Sequence, residues 1–139
     1  MQMLLEERMV SASVREERLK AASGLRYVGL SLTSWRGRSG QRYVVGVHSL
    51  SDESSVLGAT EAVMLAVQRA PDGRARILAA ATIGARECEA RNAEWLARVR
   101  VRGATEIHIH RLAEDDVERE AIVRDLLRGG KHPLAGSGV

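Results

Sequence analysis

Three histidines carry the sharpest chemistry in this chain. His108 and His110 stand two apart within Thr105-Glu106-Ile107-His108-Ile109-His110, the cleanest apolar–polar alternation in the sequence. Successive strand side chains point to opposite faces, so both imidazoles and the Glu106 carboxylate share one side. His48 closes a second run, Tyr43-Val44-Val45-Gly46-Val47-His48, on the side of Val44 and Gly46. If the two strands lie adjacent, three imidazoles and a carboxylate converge, a set suited to a divalent metal or to proton transfer. That arrangement would make His48, His108 and His110 the centre of a small metal-dependent enzyme. No helical His-Glu-x-x-His spacing supports it, and a polar, partly exposed sheet face accounts for the same residues. The expectation is no metal and no cofactor.

The second constellation is cationic. Trp35-Arg36-Gly37-Arg38-Ser39-Gly40-Gln41-Arg42-Tyr43 lies between two runs with strand character, the signature of a hairpin. Arg36, Arg38 and Arg42 would stand at a projecting tip beside Trp35, with Arg26 near them across the ladder. Guanidiniums neutralise phosphates and an indole can stack on a base, so such a tip suits nucleic acid. Acidic protein partners suit the same loop, and a solvated turn needs no partner at all. The Gly37-Arg38-Ser39-Gly40 stretch lacks the Gly-Lys-Ser/Thr ending of a phosphate-binding P-loop and opens no helix.

Other reactive residues point to structure. Cys88 stands at the start of an expected helix, where amide dipoles favour a thiolate, but Glu87 and Glu89 flank and oppose it. A buried structural thiol is the reading it supports. No serine sits in a Gly-x-Ser-x-Gly elbow. One cysteine excludes an intramolecular disulfide and a cysteine zinc site.

Composition sets the frame. The chain has 139 residues, 28% charged and 45% hydrophobic, the ordinary balance of one globular domain. Basic residues outnumber acidic ones by 21 to 18, an excess that permits acidic partners without demanding them. With two Trp, two Tyr and no Phe, the core must be aliphatic. No apolar run approaches the ~20 residues of a membrane span, so no membrane partner is expected and a cytoplasmic setting is the default.

The elements that must position these residues follow in order. Ser13-Val14-Arg15-Glu16 fits a capping box and predicts a helix from Val14 to Ser23, ended by Gly24. A first hairpin spans about 26–50, followed by a polar connection at 51–55. Glu61 to Gln68 and Arg76 to Ile83 form a second hairpin about the turn Ala70-Pro71-Asp72-Gly73-Arg74. A helix from Glu87 to Val101, the histidine strand, and a last helix through Val117, Ile122 and Leu126 complete the domain. The fold class is α+β in the order α-β-β-β-β-α-β-α: an antiparallel meander of about four strands plus a fifth, with helices mainly on one face. Residues 1–130 form one domain, with 1–12 disordered or extending the first helix, and 131–139 read as a flexible tail.

No motif specifies an activity. The leading reading is a non-catalytic domain that binds nucleic acid through Arg26, Trp35, Arg36, Arg38 and Arg42. The alternative is a homodimeric interaction module that pairs through an exposed aliphatic edge, Val63 to Val67.

Overall fold

The computed structural model describes residues 14–19, 31–86 and 88–127. The elements there are β1 (Arg15–Glu17), β2 (Ser31–Arg36), β3 (Arg42–Ser49), α1 (Glu53–Leu57), β4 (Ala62–Arg69), β5 (Ala75–Ile83), α2 (Glu89–Val101), β6 (Glu106–His110) and α3 (Asp116–Leu126). The α+β class is as expected. Strand number, strand order and helix placement are not.

All strand pairs are antiparallel, in the order β1-β2-β3-β6-β4-β5. The two hairpins form, but β6 inserts between them, so the sheet is not a meander. The reason lies in β4, where Ala62 to Val67 is a continuous apolar run buried along its whole length. A strand with no polar side must be covered on both faces and paired on both edges. Burying a side chain the size of Met64 or Leu65 stabilises by about 1.5–3 kcal/mol, and those two face opposite ways. Val63 to Val67 is therefore an interior strand, not the exposed edge of a dimer.

Two layers of core follow. Trp95, Leu96 and Val99 of α2 join Val56, Met64, Ala66, Ile107 and Ile109 on one face. Ile122, Val123 and Leu126 of α3 join Trp35, Tyr43, Val45, Leu65 and Val67 on the other. Helices thus cover both faces rather than mainly one. A register shift at Ala66/Val67 leaves Leu78 as the extra residue of β5 and turns Ala80 to the side of Leu65.

Local signals explain the other ends. Gly73 takes φ +93 in the β4–β5 turn, and Asp72 accepts from the Arg74 amide at 3.0 Å, as Pro-Asp-Gly demands. Asp115 caps α3 by accepting from the Glu118 amide at 2.8 Å. The predicted helix over 14–23 is absent where the chain is described, since 15–17 form β1; the remainder, with the Ser13 cap, lies outside the described residues. A cap is worth about 1 kcal/mol, whereas strand pairing here adds a hydrogen bond from the Ser34 hydroxyl to the Glu17 carbonyl at 2.6 Å and an ion pair at Glu16. Tertiary partners override the local preference.

The sheet curls into a half-barrel that brings β1 against β5. Glu16 of β1 and Arg69 of β4 pair at 2.8 Å although they stand four strand positions apart. In a flat sheet that separation would be roughly 19 Å. The side chains meet only because they cross the concave side, which also receives α3. Among the described residues no helix is long and apolar enough to cross a membrane.

Candidate functional site

Strand β6 does lie beside β3, yet the histidines do not converge. His108 is opposite Val47, whereas His48 is opposite Ile107, so His48 points to the α2 face and His108 and His110 point inward. Adjacent strands were not enough; the register had to match as well, and it is off by one. His48 donates its Nδ1 proton toward Asp52 Oδ2 at 3.1 Å, and that bond holds the Asp52 carboxyl below its ordinary range. Among the described residues no group of three His, Cys, Asp or Glu side chains could hold a metal ion. Cys88 is exposed, not buried, at the N-terminus of α2.

The inner face is buried rather than partly exposed: His108 is 0% accessible and His110 5%. His110 donates Nδ1–H to the Val44 carbonyl at 2.8 Å and meets the Tyr43 ring edge-on. His108 sits in a column of polar groups. The Trp35 indole Nε1–H donates to His108 Nδ1 at 2.9 Å, and His108 Nε2 lies 2.7 Å from Glu106 Oε1. An indole can only donate, so Nδ1 carries no proton, and Nε2–H donates to the carboxylate. Arg69 then bridges Glu106 and Glu16 with bonds of 2.7 and 2.8 Å and donates also to the Gly73 carbonyl. The column runs through β2, β6, β4 and β1 and ties the barrel seam together.

Charge stays inside this column because each charge is answered. Burial opposes the ionised forms of Glu16 and Glu106, but the hydrogen bonds and charge of Arg69 prevail, and both carboxyls lie below their usual 4.5. A carboxyl held low binds its proton more weakly folded than unfolded. Its contribution to stability is complete above pH 4.5 and is lost as pH falls toward the folded value. Denaturant midpoints measured from neutral pH downward are expected to drop steeply below about pH 4.5, and the Glu16→Gln/Glu106→Gln variant should show a shallower drop.

The arginine tip is shorter than the sequence suggests and is docked. Strands extend to Arg36 and from Arg42, leaving 37–41 as the turn, with Gly40 at φ +91. Trp35 is 1% accessible and lies opposite Tyr43 on the inner face, so it cannot stack on a base. The turn rests on Asp125 of α3. Its carboxylate accepts from the Ser39 amide and hydroxyl and from the Tyr43 hydroxyl, each at 2.7 Å, and the Arg38 amide reaches the Asp125 carbonyl at 3.0 Å. Burial pushes the Tyr43 hydroxyl up, and Asp125 pushes it further. An acid in the last turn of a helix opposes the macrodipole, and that mismatch was the one sequence signal of this contact.

Gly37 is where the two parts touch. A Cβ there would fall 2.0 Å from Asp125 Oδ2. The carboxylate can retreat only by giving up its three donors. Gly37→Ala is expected to cost about 1–3 kcal/mol in a urea denaturation series, more than the usual surface substitution.

On the outer face, three guanidiniums gather on one carboxylate. Glu17 lies 2.9 Å from Arg36 Nε, 3.1 Å from Arg42 Nε and 3.2 Å from Arg15 Nη2. The Arg36 hydrogen bond holds Glu17 below its ordinary range. Arg15 and Arg42 remain more than half exposed, and Arg38 is exposed on the tip. Arg15 was missed from sequence because the capping box placed it in a helix. Arg26 lies outside the described residues. Comparison with known proteins returns no matching family model, no matching curated protein and no matching solved structure.

Proposed function

We propose that this chain is a non-catalytic domain that binds the phosphate backbone of nucleic acid through the outer face of its first hairpin. The observation that carries the reading is the row of guanidiniums on that face: Arg36 and Arg42 converge on Glu17 with Arg15, Arg42 stays more than half exposed, and Arg38 is exposed on the tip beside them. Glu17 relieves repulsion between the guanidiniums and fixes their directions. A guanidinium has five N–H donors in a planar fork, and the exposed Arg38 and Arg42 can present several of them to phosphate oxygens. Trp35 has no part in this contact, and recognition rests on charge rather than on base stacking.

Binding of the full chain to mixed-sequence DNA and RNA, measured by fluorescence anisotropy across salt concentrations, tests it. Affinity should fall steeply with salt. Arg36→Gln/Arg38→Gln/Arg42→Gln should weaken binding tenfold or more at about 50 mM salt and flatten the log–log slope by about 2–3. Absence of wild-type binding at low salt, where attraction is strongest, would exclude this function. Equal binding by the triple variant would move the contact elsewhere.

A further inference from the structure

We propose that the Trp35–His108–Glu106 column is an acid-sensitive latch that holds β1 and β2 on the barrel seam and lets them go before the rest of the fold. The geometry admits one protonation state. Trp35 Nε1–H points at His108 Nδ1 across 2.9 Å, so a proton on Nδ1 would set two donors face to face. His108 is 0% accessible, which leaves no water to receive that proton's hydrogen bond. Either the imidazole turns, which breaks its bond to Glu106, or Trp35 moves, which disturbs β2.

Among the described residues, the charged groups facing the ring act in opposite directions. Burial disfavours the imidazolium most strongly. Glu106 on β6 and Glu16 on β1 favour it, and Arg69 on β4 opposes it. Tyr43 on β3 contacts His110, one step along the same face of β6. Burial prevails, so His108 takes its proton below the ordinary 6.5. Glu16 and Glu106 are held ionised by Arg69, which lowers both carboxyls from their ordinary 4.5. The proton on His108 acts on the latch at Trp35, apart from the Arg69 ion pairs.

The seam is also where opening is easiest. β1 has three residues and, among the described residues, pairs with β2, through Glu16↔Trp35 and its two neighbours. Glu16 and Trp35 are thus cross-strand partners that both belong to the column. Movement of Trp35 acts directly on β1, whereas α2 and the Met64–Ile107 core lie on the opposite face. Local openings draw on such weakly tied edges.

Amide and indole NMR of the full chain from about pH 8 to about pH 5 tests the latch, with the two indole signals assigned through Trp95→Phe. The Trp35 indole signal should shift with the same midpoint as the His108 ring carbons, while the Trp95 signal stays. As pH falls below the ordinary 6.5 of an imidazole, protection factors of 15–17 and 34–36 should fall by up to about tenfold per pH unit, the limit for one proton, with those of α2 unchanged. His108→Gln presents a carbonyl to Trp35 and an N–H to Glu106 without a titrating proton, and should abolish the change. Should that variant not fold, Trp35→Phe removes the opposing donor and should raise the His108 midpoint toward 6.5. A Trp35 signal that stays fixed while His108 titrates would overturn the proposal. Protection lost everywhere at once, or a His108 midpoint unmoved in Trp35→Phe, would do the same.

Discussion

Replacing Trp35 by alanine is expected to destabilise the protein by about 3–5 kcal/mol, the cost of emptying a large buried aromatic site. The side chain is 1% accessible and lies in one cluster with Tyr43, Val45, Leu65 and Ile122. Truncation also leaves His108 Nδ1 without its donor in a site with no water access. The loss is large against a total stability of about 5–15 kcal/mol. Trp35→Phe should cost less, since the ring volume is mostly kept and only the hydrogen bond is gone. Thermal and urea unfolding of both variants would measure the difference. A Trp35→Ala protein as stable as wild type would mean that the indole is exposed after all. It would also restore the base-stacking role that its sequence position suggests.

The second large effect is expected at Arg69. Arg69→Met keeps the aliphatic stem but leaves Glu16 and Glu106 facing each other across the seam. Breaking a buried ion pair by removing one partner costs about 3–5 kcal/mol. The three side chains retain 24%, 11% and 17% accessibility, so water screens part of this and about 3 kcal/mol is the expectation. The deficit should shrink in acid. Without Arg69 both carboxyls lose the interaction that holds them low, and they take up protons at higher pH than in the wild type. Glu16→Gln in the Arg69→Met background should recover part of the loss, and a double-mutant cycle at neutral pH measures the coupling. Additive single effects would show that the bridge contributes nothing beyond packing.

These expectations differ from a reading of the chain alone, and the differences share one physical origin. What is written locally was legible. The Pro71-Asp72-Gly73 turn, the helix ending at Val101 and the last helix through Ile122 and Leu126 each depend on residues close in sequence, and each appears where its residues stand. The alternation of Glu106, His108 and His110 placed their side chains on one face of one strand. Which face, and beside what, was not written there. The unbroken apolar run of Ala62 to Val67 was the available sign that β4 is central and covered on both sides.

Only the tertiary structure decided the rest. Register set His48 against Ile107 and so turned it away from His108, and no property of either strand by itself expresses that pairing. The curl of the sheet brought Glu16 to Arg69 across 53 residues of sequence and made a strand of a segment whose capping box favours a helix. Trp35, next to three arginines in the chain, looks like part of an exposed tip. Strand alternation instead sends it inward to His108 while Arg36 goes outward to Glu17. Composition and local spacing determine which elements can form and which residues are cationic. Long-range pairing, which depends on the burial of all strands together, determines which of those residues meet water and which meet each other.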